Sequence, residues 1–203
     1  MLEFDVKKQQ TVDTYNNSAA ELANKFNSSG ARTKDIEETF FFAKKTNPKV
    51  LEIGCGNGRD AAEILKRTNQ YLGIDISEKL IQLAREKNPQ GKFEIADIEN
   101  YSFPDDIDII FAFASLIHVP KENLRKIFAD GLRALNPAGI FKLSVKHADN
   151  YEEVTQEDEF GIRTYYHYSK NDIEQLADGY KIIKYELIEL RGLIWLEIIL
   201  QKI

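Results

Sequence analysis

The segment Val50-Leu51-Glu52-Ile53-Gly54-Cys55-Gly56-Asn57-Gly58-Arg59 constrains this chain more than any other, because a short apolar run opens directly into three glycines at alternate positions. Glycine has no Cβ, so the backbone there can take positive φ and let a ligand approach the main chain. Ala61, Ile64 and Leu65 continue at helical spacing. That spacing predicts a helix over Arg59–Arg67 whose N-terminal amides face a polar or anionic group. A strand, a glycine turn and a helix in that order predict a nucleotide-binding corner at the end of a buried strand.

The alternation continues along the chain. Val12–Phe26 and Lys34–Lys45 read as helices preceding the first strand. Strands are predicted over Val50–Ile53, Tyr71–Asp75, Lys92–Ile95, Ile107–Phe113 and Ile140–Lys146. A helix runs from the N-cap Ser77 to Lys87, and another spans Lys121–Leu135. After Lys146 the rhythm stops. His147–Ser169 reads as an irregular stretch rich in Glu and Tyr, followed by a helix over Lys170–Ala177. Tyr180–Leu190 and Leu193–Lys202 are separated only by Arg191-Gly192, the spacing of an antiparallel hairpin. The expectation is a single α/β domain over 1–203, built on a doubly wound, mostly parallel seven-stranded sheet with a C-terminal antiparallel hairpin. Ligands in such sheets bind beyond the strand carboxyl ends. The informative loops therefore follow Ile53, Asp75, Ile95, Phe113 and Lys146.

A chain of 203 residues with 43% hydrophobic and 30% charged content suits one globular domain. The net charge of −6 argues against a broadly basic nucleic-acid surface and favours a small-molecule partner. Cys55 is the only cysteine, so no intramolecular disulfide forms and a reducing, cytoplasmic setting is expected. Inside the glycine turn it reads as a small filler. Met1–Gln10 lacks the apolar core of a signal peptide, and no apolar run reaches membrane-spanning length. No His/Cys cluster has metal-ligand spacing.

Asp75 ends the second strand, where a carboxylate can accept hydrogen bonds from both hydroxyls of a ribose. Its alternative is a carboxylate held by the dipole of the helix that starts at Ser77. Asp97, between Ala96 and Ile98, follows the third strand; it is either an adenine-edge contact, with Ile98 covering the ring face, or a solvated loop residue.

Together, Glu52–Gly58, Gly73–Ser77, Ala96-Asp97-Ile98 and Asn136-Pro137-Ala138-Gly139 resemble the class I S-adenosylmethionine-dependent methyltransferases, in order and spacing, over Tyr15–Lys146. The resemblance is strongest to the small single-domain group acting on small molecules, whose fourth strand ends in a Leu-His-His-Val-like turn, here Leu116-Ile117-His118-Val119. It implies the Rossmann-like methyltransferase fold, S-adenosylmethionine as cofactor, and methyl transfer to an oxygen or nitrogen of a small-molecule acceptor. It also implies that Gly54, Cys55 and Gly56 pass the methionine part, Asp75 holds the ribose, Ala96 and Asp97 meet the adenine, and Ile76 and Ile98 sandwich it. Glu52 matches the acidic organiser of the amino-acid end, and Phe113 lies at the end of the fourth strand beside the cofactor. Arg59 either reaches the cofactor carboxylate or stays an exposed first-turn arginine. Tyr15 matches an N-terminal Tyr-Asp-x-x-Ala pattern whose helix covers the cofactor, making helices within 11–46 a lid. Leu22 departs from that pattern, and Pro137-Ala138-Gly139 replaces Pro-Gly-Gly.

His118 is a candidate general base with a suitable unperturbed pKa, or else a positioning or packed loop histidine. Residues 147–169 are expected to form an acceptor-site insertion. Within it, Tyr165, Tyr166 and His167 either wall the acceptor pocket or form an edge strand packed on the core. Three alternatives remain. A nicotinamide dehydrogenase is opposed by Arg59 where its fingerprint needs glycine. A nucleic-acid methyltransferase is opposed by the charge and by Phe113-Ala114-Ser115 in place of an Asn/Asp-Pro-Pro-aromatic motif. A non-catalytic S-adenosylmethionine-binding sensor keeps the same binding residues.

Overall fold

A computed structural model describes residues 3–203; residues 1 and 2, the start of the segment read for a leader, lie outside the described residues. The helices are α1 (Glu3–Asn17), α2 (Ala19–Asn27), α3 (Thr33–Ala43), α4 (Ala61–Ile64), α5 (Glu78–Lys87), α6 (Lys121–Ala134) and α7 (Lys170–Leu176). The strands are β1 (Val50–Ile53), β2 (Tyr71–Asp75), β3 (Lys92–Ile95), β4 (Ile107–Phe113), β5 (Leu135–Lys146), β6 (Glu152–Asp158), β7 (Gly161–His167), β8 (Tyr180–Leu190) and β9 (Leu193–Lys202). Seven of them form one sheet in the order β3-β2-β1-β4-β5-β9-β8. The first five pair in parallel, and β9 runs antiparallel between β5 and β8. The order reverses between β1 and β4, which places the crevice at their carboxyl ends.

β1 is buried throughout and β4 almost throughout, as near-continuous apolar strands covered on both faces should be. On one face Leu51, Ile110, Phe141 and Leu143 pack with Ile127 and Phe128 of α6. On the other, Val50, Ile109 and Phe111 pack with Ile36 of α3, Ile64, and Ile81 and Ala84 of α5.

Three expectations need correction. The stretch 147–169 is not irregular: β6 and β7 form a separate antiparallel hairpin in continuous register from Glu152↔His167 to Asp158↔Gly161. Its first strand, Glu-Glu-Val-Thr-Gln-Glu-Asp, is mostly exposed and poor in strand-forming residues, so pairing with β7, not local propensity, makes it a strand. The helix expected over Arg59–Arg67 shrinks to the single turn of α4, because Gly58, Arg59 and Asp60 are used in the turn before it. The protein therefore presents a cradle of turn amides instead of a long helix dipole. The helix expected over Val12–Phe26 is two helices broken at Ser18, whose hydroxyl donates to the Phe160 carbonyl of the β6–β7 turn (2.9 Å). Ser77 caps α5 as expected, accepting from the Leu80 amide.

Candidate active site

The glycine turn after β1 works as its sequence requires. Gly54, Gly56 and Gly58 have φ of 68°, 54° and 70°, left-handed values that other residues adopt at a cost. A Cβ on Gly54 would lie 2.1 Å from the Ser115 Cβ, so the turn passes directly under the end of β4. At Gly56 nothing lies within 4 Å of such an atom, and that open side belongs to a cavity of about 640 Å³, within the range of small-molecule sites.

Asp75 ties β2 to the turn. One carboxylate oxygen accepts from the Gly56 amide and the other from the Ser77 amide, each at 2.9 Å. Burial raises its pKa, and these amide bonds oppose the rise. Glu52 is buried at the cavity floor and accepts from the Tyr71 hydroxyl at 2.5 Å. Desolvation, followed by the charge of Asp60, pushes its pKa well up, which favours a protonated carboxyl. Arg59 lines the cavity but turns to Asp60, donating from Nε and Nη2. Burial raises the Cys55 thiol pKa, which suits a packed filler.

Ile76, Ala96, Asp97, Ile98 and Phe113 all line the same cavity. Asp97 is already engaged: it accepts from the Asn100 side-chain amide and from Lys8 of α1, while Lys8 also reaches Glu99. The first helix is fastened on its other flank too. Thr14 donates to the Ile162 carbonyl (2.7 Å), and Thr11 accepts from the Thr164 amide (3.1 Å). Tyr15 lies beneath this helix with its hydroxyl 2.9 Å from His118 Nε2.

His118 is on the cavity wall, in a short 3₁₀ turn after β4. Its Nδ1 is 2.6 Å from the Thr164 carbonyl, which can only accept, so Nδ1 carries the proton and Nε2 accepts from Tyr15. Desolvation brings its pKa down to about 4, leaving the ring neutral at ordinary pH with both nitrogens engaged.

The expected acceptor residues separate on alternate faces of β7. Tyr165 lines the cavity, but Tyr166 does not: it stacks on Tyr151, with ring centroids 6.1 Å apart and planes 5° apart, in the core. His167 also lies outside the cavity lining, with Nδ1 2.7 Å from Glu152, its partner across the hairpin. Pleating turns Tyr166 to the opposite face from Tyr165, whereas His167 shares the face of Tyr165 and lies beyond the end of the cavity lining. Arg163, two residues before Tyr165, takes the position that the sequence reading gave to the tyrosine run as a whole.

The site contains a second residue that the sequence reading passed over. β5 carries Lys142, Ser144 and Lys146 on one face. Lys142 is buried with Asp35 at 3.2 Å and Glu197 at 2.7 Å. Lys146, only 6% exposed, has no carboxylate partner among the described residues. Its Nζ lies 3.3 Å from the centroid of the Tyr165 ring. Desolvation and the nearby Arg163 charge lower its pKa to about 8. Arg163 contacts Asp158 through Nη2, but its buried Nε has no hydrogen-bond partner among the described residues. The signal was a lysine at alternating spacing in a strand otherwise buried on both faces. Among the described residues, no group of three or more His, Cys, Asp or Glu is arranged to hold a metal ion, and no helix is long and apolar enough to cross a membrane.

A family model described as a methyltransferase domain matches residues 50–139, the stretch from β1 to the start of β5. A trans-aconitate 2-methyltransferase of Variovorax paradoxus (strain S110) is 36% identical over 112 residues, covering 53% of this chain and 41% of the relative. The chain thus spans less than half the length of that relative. Among solved structures, magnesium protoporphyrin IX methyltransferase from Synechocystis PCC 6803 with bound S-adenosylmethionine aligns with a TM-score of 0.74 at 16% identity, covering 100% of this chain and 99% of that one. Burkholderia thailandensis 1,6-didemethyltoxoflavin-N1-methyltransferase aligns at 0.70 with 17% identity, covering 94% and 87%. Both share the fold. The strand order, the glycine turn and Asp75 thus accompany a methyltransferase-domain match over residues 50–139, and the chain has the fold of these solved methyltransferases.

Proposed function

We propose that this chain transfers a methyl group from S-adenosylmethionine to a carboxylate oxygen of a small-molecule acceptor. The observation that carries the acceptor half is Lys146, a buried cation on the cavity wall without an acid. Of the other cations lining that cavity, Lys8, Lys25, Arg32, Arg59 and Arg163 each face an Asp or Glu, and Arg191 is exposed and donates to Ser29. A buried cation without a counter-charge is costly, and an acceptor carboxylate would supply one. The Variovorax relative is named for a carboxylic acid, trans-aconitate, which agrees with this reading.

The cofactor half rests on the open side of Gly56 and on Asp75. Each Asp75 oxygen accepts one turn amide and retains capacity for a ribose hydroxyl. Ile76 and Ile98 are assigned to the faces of the adenine, Ala96 and Asp97 to its edge, and Glu52 to the amino-acid end; Arg59 fixes the turn through Asp60. When bound, S-adenosylmethionine supplies the methyl group as an electrophile: an O–C bond forms from a carboxylate lone pair as the C–S bond breaks, its pair stays on sulfur, and no proton moves. This chain therefore has to position and desolvate the acceptor and needs no general base. In this reading His118 holds Tyr15 and β7 in place. The first helices and the β6–β7 hairpin form the cover, and the reaction belongs in a reducing cytoplasm, where the lone thiol of Cys55 is stable.

Replacing Asp75 with alanine removes both the ribose acceptor and the Gly56 tether. The expected result is cofactor binding weakened by about 1.5–3 kcal/mol, read by calorimetry. Unchanged affinity in a folded variant would place the ribose elsewhere.

The pH profile tests the acceptor half. Lys146 is charged below about pH 8 and loses its charge as pH rises through that value. The kcat/KM for a carboxylate acceptor should therefore fall above about pH 8, with no base-dependent limb between pH 5 and 7, because His118 stays neutral there. A rising limb in that range would show that a general base takes part and would overturn transfer to a carboxylate that needs none. Labelled-methyl transfer to a panel of carboxylic acids is the direct test of the activity.

A further inference from the structure

Lys146 does not stand alone on its face of the sheet. It is paired across β5–β9 with Trp195, and Trp195 is paired across β9–β8 with Ile188. Directly opposite residues of antiparallel strands project on the same face, so cation, indole and aliphatic side chain form one row over three strands. One step toward the hairpin tip, Leu190 pairs with Leu193 on that same face. All five line the cavity. Leu190 is 48% exposed and Leu193 40% exposed, so the row ends in apolar surface that the described residues leave half open.

We propose that the acceptor is an amphipathic monocarboxylic acid, with its carboxylate on Lys146 and an apolar body lying across Trp195 and Ile188 toward Leu190 and Leu193. The inference deepens the carboxylate reading above and rests on it. Three adjacent strands span roughly 10 Å, a distance filled by an aliphatic chain of about eight carbons or a fused pair of rings. Burying such a body against the shelf removes apolar area from water on both sides, while the charged end stays with Lys146 and Arg163. A polycarboxylate fits poorly: among the described residues, the one cation at the hairpin tip is Arg191, which already donates to Ser29 Oγ at 2.9 Å. The product of transfer to oxygen is a neutral ester, which no longer has a charge to hold it against Lys146.

The test is labelled-methyl transfer by the full chain with S-adenosylmethionine, comparing octanoate, butanoate and trans-aconitate as acceptors, with cofactor affinity measured by calorimetry in parallel. The expected result is octanoate used at least about tenfold more efficiently by kcat/KM than trans-aconitate, since placing the further carboxylates of trans-aconitate on an apolar shelf desolvates unpaired charges. Leu193→Ser, at the exposed hairpin tip where folding tolerates it, and Trp195→Ala should each reduce octanoate efficiency by about tenfold. Leu193→Ser should spare butanoate, which is too short to reach Leu193, and both variants should leave cofactor affinity as it was. Preference for trans-aconitate, or octanoate kinetics indifferent to Leu193→Ser, overturns the apolar shelf and leaves the carboxylate reading standing. Cofactor binding with no methylation of any of the three acids overturns both.

Discussion

Lys146→Met should abolish most acceptor turnover while sparing the cofactor. Methionine keeps the length and apolar packing of the side chain against Tyr165, so the variant removes charge and little else. Losing one member of a buried, desolvated charge pair at an interface costs about 2–5 kcal/mol, which is roughly 30- to 5,000-fold in kcat/KM for a carboxylate acceptor. The Kd for S-adenosylmethionine should not move, because the cofactor residues proposed above lie on the β1, β2 and β3 loops. The fall in kcat/KM above pH 8 should also disappear, since Lys146 is the group whose deprotonation produces it. Steady-state kinetics with the acceptor varied, beside calorimetry of cofactor binding, separates these effects. A variant that loses cofactor affinity in step with turnover would place Lys146 at the wrong end of the cavity.

Gly54→Ala is expected to be the most damaging single-methyl substitution in the turn. The added carbon would meet Ser115 Cβ at 2.1 Å, and Ser115 cannot simply withdraw, because its hydroxyl donates to the Ile53 carbonyl at 2.6 Å. Overpacking of about 1–3 kcal/mol adds to a left-handed backbone penalty of about 1–2 kcal/mol. Urea unfolding should therefore show a loss of roughly 2–5 kcal/mol. Gly56→Ala shares only the backbone penalty, since nothing stands within 4 Å of the new carbon. It should lose only that backbone share of about 1–2 kcal/mol in urea unfolding and yet bind the cofactor poorly, because its methyl occupies the open side of the turn. Equal destabilisation of the two variants would contradict this division of labour between a glycine needed for packing and a glycine needed for ligand.

The parallel half of the molecule was legible because its signals are local. The edges of β1, β2, β3 and β4 coincide with their sequence limits: β1, β2 and β4 are mainly apolar runs, and β3 is a short alternating strand set off by Gly91 and Asp97. Asp75 could be placed from its strand end alone. The hairpin of β6 and β7 was not legible, because Glu152–Asp158 gains strand form only from a partner strand. A run of aromatics carries no record of which residues face inward, so Tyr166 cannot be told from Tyr165 before the strand is known; His167, on the same face as Tyr165, falls outside because the cavity ends before it. Lys146 was passed over for a related reason. Sequence shows two lysines four apart in β5, and only the fold reveals that Asp35 and Glu197 neutralise Lys142 and leave Lys146 alone.

The first helix has a mechanical consequence. Along one flank it is bonded to the loops after β2 and β3, through Asn16 to Ser77 and through Lys8 to Asp97 and Glu99. Along the other it is bonded to the backbone of β7 through Thr11 and Thr14. A rod clamped along both edges cannot swing like a door on one hinge: freeing the loop beneath it strains the hairpin beside it, and the reverse. In the proposed reaction, entry of the two reactants would thereby be yoked through one element, so that what loosens one rim of the cavity is felt at the other.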